Sequence, residues 1–272
     1  MTRTSACVIA CNEEAVLTRC LDSIAWVDEL VIVVDAKSHD RTEEIARERA
    51  ARVEVRPYQG DIEQKRYCTE LASHDWVLIV DPDEVVTEKL AREIQQVLHH
   101  GPGSAGYEIN RITFHLGCWV HYGDFFPDWK LRLFRRSAAR WVGSNPHGRV
   151  EVDGGARRLE GEIQHYSYVD LADQVSRIQN FSATAAQEMF RSGRRVRIGD
   201  LVLRPPARFV RAYLLKAGFR DGMAGFIIAV ATSFHVFLKY AKLWELTRSA
   251  REKSRKHAEG DESGDGQRSA RS

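Results

Sequence analysis

The sequence predicts an α/β fold with a mixed, mostly parallel sheet and flanking helices, followed by a C-terminal helical module. Three observations support this prediction. Strand-like apolar runs alternate with helix-like segments through the first hundred residues, which is typical of right-handed βαβ units. After about residue 100, strand-like runs follow one another without helices between them. Residues 204–246 combine a basic segment with a long uncharged one.

The first half contains four predicted strands and three predicted helices. Short β-branched runs predict the strands, over residues 5–10, 29–34, 52–55 and 76–80. Helical spacing and start signals predict the helices, over residues 13–24, 40–49 and 61–71. Pro82 should end the fourth strand, because proline cannot donate to a sheet ladder.

The second half has an α+β pattern. Strands are predicted over residues 107–116, 130–134 and 149–152, and a helix over residues 173–190. We expect this half to close over the sheet and to supply an acceptor site.

Composition narrows the function classes. The 272 residues are 43% apolar, enough for one ordinary core or one domain with an appendage. The chain has 40 Lys and Arg and 38 Asp and Glu, so its net charge is close to zero and does not favour binding to nucleic acid. Five cysteines without a CxxC pair predict neither a disulfide framework nor a zinc site, and fit a reducing, cytosolic compartment. The apolar run after Arg3 is too short for a signal peptide.

The strongest functional signal is Asp81-Pro82-Asp83-Glu84, which directly follows the predicted buried strand 76–80. In open α/β sheets, ligands bind at the carboxyl ends of the strands. An Asp-x-Asp pair there can hold a hard divalent cation, and the cation can hold a diphosphate. The alternative is a solvated turn that caps a helix-like stretch beginning at Thr87.

Polar motifs also follow the first two strands. Asn12 and Glu13 would contact a base or ribose, or would simply cap the next helix. Asp35 stands at the tip of the second strand, where it can accept hydrogen bonds from a base or ribose. Helix capping explains Asp40 but not Asp35. A dinucleotide cofactor is not expected, because the chain has no GxGxxG motif.

These motifs, in this order, resemble family 2 glycosyltransferases. The matching segments of the first half are 10–14, 33–42 and 81–84. Three later segments resemble the bacterial lipopolysaccharide-core β-1,4-glucosyltransferase-like branch, namely 126–135, 165–168 and 237–245. The resemblance covers roughly residues 4 to 246.

The resemblance implies a GT-A fold that takes a sugar from a nucleotide-diphosphate sugar with inversion. It implies Mg²⁺ or Mn²⁺ at Asp83 and a nucleotide-sugar site that includes Asn12, Glu13, Asp35, Lys65 and Asp81. For Lys65 the alternatives are contact with the phosphates and exposure to solvent.

Inversion needs a base that deprotonates the acceptor hydroxyl as the new bond forms. Asp128 is the predicted base because it heads the Asp-Trp-Lys-Leu-Arg-Leu-Phe segment, and Asp124 is the nearby substitute. The alternative for Asp128 is a turn residue after Pro127. His147 and His165 would help bind the diphosphate or the acceptor, or would be structural.

One departure from the family keeps other functions open. Many relatives have Glu where this chain has Gly148. If that Glu were the base in relatives, the chain would be a catalytically inactive membrane-bound scaffold. A nucleotidyltransferase is the other alternative, although such an enzyme normally has a Gly-rich, basic loop after the first strand.

The predicted domain organisation has three parts: a glycosyltransferase domain over residues 1–200, a helical membrane-interface module over residues 201–246 and a disordered tail over residues 247–272. Residues 222–238 carry no formal charge, which favours an interfacial anchor; a packing helix and a membrane span are the alternatives. The expected partners are a nucleotide-sugar donor, a lipid-linked glycan acceptor and the cytoplasmic face of the bacterial plasma membrane, with no nucleic acid.

Overall fold

The computed structural model describes residues 2–50, 52–143 and 148–265. The chain forms two compact units. The first unit contains Met1–Trp119 and Phe125–Ser167, and the second contains Val120–Asp124 and Tyr168–Ser272. The predicted boundary at residue 200 therefore falls inside the second unit, and the predicted three-part division stays a prediction.

The amino-terminal part of the first unit is a parallel α/β arrangement, as predicted. Its elements are β1 (Thr4–Ala10), α1 (Leu17–Ser23), β2 (Glu29–Asp35), α2 (Thr42–Arg49), β3 (Arg52–Arg56), α3 (Asp61–Leu71) and β4 (Trp76–Ile79). The four strands lie in the order β3-β2-β1-β4 and pair in parallel. Their carboxyl ends therefore meet at one edge of the sheet.

The second part of this unit extends the same sheet. Its elements are β5 (Glu84–Val86), α4 (Glu88–His100), β6 (Gly106–His115), β7 (Cys118–Val120), β8 (Trp129–Arg135), β9 (Ala139–Val142), β10 (Arg149–Val152) and β11 (Ala156–His165). Strand β8 lies antiparallel between β4 and β6, and β11 runs parallel to β6. The resulting nine-stranded mixed sheet with flanking helices confirms the predicted fold class. Strands β9 and β10 form a separate antiparallel pair.

Helices cover both faces of the sheet, which explains why β1 and β2 are apolar on both sides. On one face, α1 and α4 bury Leu17, Leu21 and Ile94 against the strands. On the other face, Cys68 of α3 packs with Val31 and Phe134. Because helices pack on both faces of the sheet, its polar side chains lie mainly at the ends of the strands.

The second unit is helical. It contains α5 (Leu171–Arg191), α6 (Ile198–Val202), α7 (Arg204–Val210) and α8 (Gly222–Asp265), with a π-helical segment over Arg211–Leu215 and a 3-10 turn over Gly218–Asp221. Helix α8 continues to Asp265, so its last turns lie in the segment for which composition predicted disorder. An (i, i+4) ion pair between Arg248 and Glu252 supports this extension.

Candidate active site

The loops after β1 and β2 are joined by hydrogen bonds. The amide of Asn12 donates to Oγ of Ser38, and the amide of His39 donates to Oδ1 of Asn12. The amide of Glu13 donates to Oγ1 of Thr42 at 2.7 Å. The backbone of Asn12 has a left-handed φ of 57°, a conformation that asparagine tolerates better than most residues. The structure thus brings the first two predicted motifs together.

Asp40 adds further hydrogen bonds between the loops after β1 and β2. Its carboxylate accepts hydrogen bonds from the amides of Glu14 and Thr42, each at 3.0 Å. Slight burial would raise the pKa of Asp40, but these bonds and one from Ser38 outweigh it and lower the pKa to about 2. The helix begins at Thr42 rather than at the predicted residue 40; its N-cap residue is Arg41, and Asp40 accepts a hydrogen bond from the amide of the first helical residue.

Asp35 lies at the end of β2, as predicted, and is 93% buried by its neighbours, with 7% of its surface exposed. Its Oδ1 accepts hydrogen bonds from the amides of Lys37 and Tyr58. Asp35 therefore connects the loops that follow β2 and β3.

Asp81 lies between two cations. Its Oδ1 is 2.8 Å from Nζ of Lys65, and its Oδ2 is 2.7 Å from Nη2 of Arg132. Burial alone would raise the pKa of Asp81, but Arg132 and Lys65 outweigh burial and hold the pKa well below its usual value. Both oxygens of Asp81 are thus occupied, which suits holding cations in place more than contacting a ribose.

Glu84 and Arg132 complete a buried charge cluster. The side chain of Glu84 is fully buried; it pairs with Arg132 and accepts a hydrogen bond from the amide of Asp81. Arg111 lies 3.3 Å from the same carboxylate. Arg132, Glu84 and Arg111 were not predicted as site residues. The signal was present, because a charged residue between Leu131 and Leu133 in a strand covered on both faces must have a buried partner.

A cleft of about 690 Å³ opens beside this cluster. Cations outnumber carboxylates along its walls: Lys65, Arg111, Lys130, Arg132, Arg140 and Arg149 face Asp61, Asp81, Glu108 and Glu151. Trp129 and Trp141 add aromatic surface. A cleft of this volume with excess positive charge suits a small organic anion such as a nucleotide.

Asp83 pairs with His165, the last residue of β11. Nε2 of His165 lies 3.2 Å from Oδ2 of Asp83, and the amide of Tyr166 donates to the carbonyl oxygen of Asp83 at 2.9 Å. Within the described ranges, no group of three or more His, Cys, Asp or Glu is arranged to hold a metal ion. The Asp83 carboxylate can supply oxygen ligands to a divalent cation that takes its remaining ligands from phosphate oxygens and water, as Mg²⁺ commonly does.

Asp128 is anchored at the start of β8. Its carboxylate lies 2.7 Å from Nη2 of Arg111 and 3.0 Å from Nζ of Lys130, and its amide donates to Oδ1 of Asn110. Burial would raise the pKa of Asp128, but Arg111 and Lys130 outweigh it and lower the pKa. The carboxylate is therefore ionised at neutral pH, and each of its oxygens is paired with a cation.

The other predicted residues have different surroundings. Asp124 belongs to the second unit, where its buried carboxylate pairs with Arg208 at 2.7 Å and Lys216 at 3.1 Å. These pairs give Asp124 a structural explanation. His147 lies outside the described residues.

Gly148 lines the cleft at the start of β10 and packs against α3. A Cβ atom at this position would overlap with Cδ1 of Ile62, which is buried. The close approach of the two elements therefore explains why this chain has glycine here and not glutamate.

Two solved structures share a distant likeness with this chain. One is TarS from S. aureus in complex with UDP-GlcNAc, which is 13% identical, has a TM-score of 0.46 and is matched over 92% of both chains. The other is glucosyl-3-phosphoglycerate synthase from Mycobacterium tuberculosis in complex with Mn²⁺, UDP and glucosyl-3-phosphoglycerate. It is 19% identical, with a TM-score of 0.48, over 72% of this chain and 81% of the other.

Sequence comparisons are more informative. The chain is 30% identical to an uncharacterized glycosyltransferase of Rickettsia typhi, over 92% of this chain and 90% of the relative. It is 28% identical to the lipopolysaccharide core biosynthesis glycosyltransferase LpsC of Rhizobium meliloti, over 89% of this chain and 92% of that protein. The sequence model of glycosyl transferase family 2 matches residues 5–158. The chain therefore belongs to glycosyl transferase family 2.

Proposed function

We propose that this family 2 glycosyltransferase moves a hexose from a nucleotide-diphosphate sugar to a lipopolysaccharide-core or related surface-glycan acceptor, with inversion. The observation that carries the proposal is the cation-lined cleft beside Asp81, which follows β4; Asp83 comes two residues later in the same loop. The lipopolysaccharide-core relative supports the acceptor class.

The donor would bind across the strand ends. Asn12, Glu13 and Asp35 would receive the nucleoside, because the loops after β1 and β2 are joined there. Lys65 and Arg132 would face the diphosphate, since Asp81 fixes both cations beside the cleft. Preorganised cations of this kind stabilise negative charge without reorganising during the reaction.

Asp83 and His165 would hold Mg²⁺ or Mn²⁺ together with the donor phosphates. When bound, such a cation acts as a Lewis acid that stabilises the charge on the departing diphosphate. The chain's part is to keep the two side chains together, through the hydrogen bond from the Tyr166 amide to the Asp83 backbone.

Asp128 would act as the base. In an inverting transfer, the acceptor hydroxyl attacks the anomeric carbon from the face opposite the leaving group. The carboxylate of Asp128 takes the hydroxyl proton as the new bond forms and the glycosyl–phosphate bond breaks. The ion pairs with Arg111 and Lys130 keep Asp128 ionised and fixed in direction.

The acceptor would be lipid-linked, and the enzyme would work peripherally at the inner face of the bacterial plasma membrane. Helix α8 supports this location because residues 218–252 are long and apolar enough to interact with a bilayer, with a mean hydropathy of 1.5 over the most apolar window.

Calorimetric titration with UDP, with and without Mn²⁺, tests the proposal. We expect Mn²⁺ to tighten UDP binding at least tenfold in the wild-type protein, and this gain to disappear in Asp83→Ala. Asp22→Ala is the matched control, since Asp22 is an exposed aspartate of α1. If UDP does not bind, ADP, GDP and CMP are titrated next.

If none of these nucleotides binds, the transferase proposal is contradicted, and the catalytically inactive membrane-bound scaffold remains as the explanation. The scaffold is also distinguished in cells, since it would keep its biological role in the Asp83→Ala variant and an enzyme would not.

A further inference from the structure

The second unit exposes a continuous apolar stripe along α8. Six side chains, each at least 42% exposed, form it: Met223, Phe226, Val230, Phe234, Phe237 and Trp244. Their spacing of three, four, four, three and seven residues places them on one face of the helix. At 1.5 Å per residue the stripe is about 30 Å long.

The opposite face of α8 is covered by protein. Ile228, Tyr240 and Leu243 are buried there. Lys242 donates to the carbonyl oxygen of Gln179 and to Oγ of Ser182 on α5, and Ser233 donates to the carbonyl oxygen of Pro205 on α7. Because α5 and α7 occupy this side, lipid cannot surround the helix, as it would around a single membrane span.

The segment before α8 widens the stripe at one end. Leu214, Leu215 and Phe219 are 50–78% exposed. The ring of Tyr213 lies 5.7 Å from that of Phe226 and 6.3 Å from that of Phe219, which makes the surface continuous. We call the α8 stripe together with these three exposed residues the apolar surface. Only 28% of the most apolar window of α8 is buried, too little for the core helix of a soluble protein.

Exposed arginines lie near both ends of the apolar surface. Residues 191–221 contain nine Arg or Lys and two carboxylates. Arg211 and Arg220 are exposed beside Leu214 and Phe219, while Arg248 lies over the ring of Trp244 at the other end. Cations next to exposed apolar side chains match anionic headgroups above the hydrocarbon of a bilayer.

We propose that the second unit docks on an anionic phospholipid bilayer with α8 lying in the membrane plane. The apolar surface enters the boundary between headgroups and acyl chains, and Arg211, Arg220 and Arg248 contact lipid phosphates. This inference deepens the proposed function by naming its membrane partner and the docking face. Vesicle binding does not require sugar transfer, so either proposal can fail while the other stands.

Cosedimentation of the full chain with vesicles tests the docking. We expect at least tenfold tighter binding to vesicles with one quarter phosphatidylglycerol than to pure phosphatidylcholine, and a loss of this preference in high salt. The double variant Phe234→Asp/Phe237→Asp should lower binding at least tenfold, whereas the control Val55→Asp, on β3 of the first unit, should not. Equal binding by the double variant and the wild type would overturn the proposal.

A second variant guards against misfolding. Arg211→Gln/Arg220→Gln leaves the apolar surface intact and should remove the preference for anionic vesicles; an unchanged preference would contradict the proposal. Circular dichroism checks that each variant is folded. If sedimentation equilibrium instead shows a dimer that Phe234→Asp/Phe237→Asp dissociates, while vesicle binding is unchanged, a second copy of the chain covers the surface and the membrane proposal is wrong.

The orientation of α8 is tested by labelling. Arg211→Cys and Ser249→Cys are made in a background without Cys11 and Cys118, and inverted plasma-membrane vesicles are treated with an impermeant maleimide. An in-plane helix leaves both positions reactive from the cytoplasmic side. Protection of one position, reversed by detergent, would show a spanning helix and overturn the in-plane arrangement.

Discussion

Arg132 is the residue on which the buried charges of the site converge. It is 6% exposed and pairs with both Asp81 and Glu84. Lys65 holds the other oxygen of Asp81, so the loop after β4 is fixed from two sides. This arrangement makes the Asp81 carboxylate a support for cations, which is why we propose Asp83 as the carboxylate for a metal.

We expect Arg132→Met to lower the free energy of unfolding by about 3–5 kcal/mol, because Asp81 and Glu84 would remain buried with less compensating charge. Arg132→Lys should lower the free energy of unfolding by less. Arg135→Met, at a half-exposed arginine, serves as the control. Urea unfolding followed by tryptophan fluorescence measures the change. Equal midpoints for Arg132→Met and the wild type would show that the cluster does not stabilise the fold.

The lowered pKa of Asp128 predicts the pH dependence of transfer. A base acts in its ionised form, and Arg111 with Lys130 holds this pKa below the ordinary aspartate value of about 3.9. The acid limb of the kcat/KM profile should therefore fall only below about pH 4. The stability from these ion pairs is likewise present above the ordinary pKa and is lost as pH falls through the folded one.

Arg111→Gln should move that acid limb to higher pH, because it removes the stronger of the two partners of Asp128. Asp128→Asn should abolish transfer at every pH. An acid limb that stays in place in Arg111→Gln would mean that another group is the base.

At the scale of elements, the approach of β10 to α3 shapes one wall of the cleft. We expect Gly148→Ala to destabilise the protein by about 1–3 kcal/mol, because the new Cβ overlaps with Ile62. In the double variant Ile62→Ala/Gly148→Ala, the destabilisation should be smaller than the sum for the two single variants, because alanine at position 62 leaves space for the new Cβ at position 148. If the changes in the free energy of unfolding measured with denaturant were strictly additive, the side chains at positions 62 and 148 would not be in steric contact.

The elements differ in how well the sequence predicts them, for physical reasons. Strands β1, β2 and β4 are predictable because helices cover both faces and the runs are mostly apolar. Strand β3, at the edge of the sheet, is predictable from its alternation of valines with charged residues. Helix α3 is predicted with its observed limits, Asp61–Leu71. Strand β5 has only three residues, too few to show a strand pattern. In β11 buried and less buried residues alternate only from Leu159 onward, and its first three residues are exposed. The pairing of β5 with β11 places His165 beside Asp83, and no local pattern indicates it.

The same distinction applies to the site. The positions of Asp35, Asp81 and Asp83 at one edge of the sheet are predictable from sequence, because each ends or follows a strand in the parallel part of the sheet, where the ends must meet. Their roles in the site stay predictions. Arg111 and Arg132 come from β6 and from the antiparallel strand β8, whose positions in the sheet are not visible in their periodicity. The prediction for Asp124 rests on its closeness to Asp128 in sequence, whereas its observed partners are Arg208 and Lys216 in the second unit.

At the scale of the molecule, substitution of Asp124 tests whether the helical second unit contributes to donor binding. We expect Asp124→Ala to destabilise the helical unit by about 1–3 kcal/mol, since Arg208 and Lys216 lose their shared buried partner. UDP affinity should not change. Thermal unfolding and calorimetry on the same sample check both points; a large loss of UDP affinity in a folded variant would return Asp124 to the donor or acceptor site.

Sugar transfer itself is the most direct test of the central claim, that the Asp83 edge of the sheet is the donor site of a surface-glycan transferase. Radiolabelled nucleotide sugars are supplied with lipopolysaccharide from a strain that lacks this chain, and label in the lipopolysaccharide is counted. We expect transfer from one donor by the wild-type protein and by Asp22→Ala, and at least a hundredfold less by Asp83→Ala, about 2.7 kcal/mol of transition-state stabilisation. Transfer by Asp83→Ala at the wild-type rate would contradict the central claim.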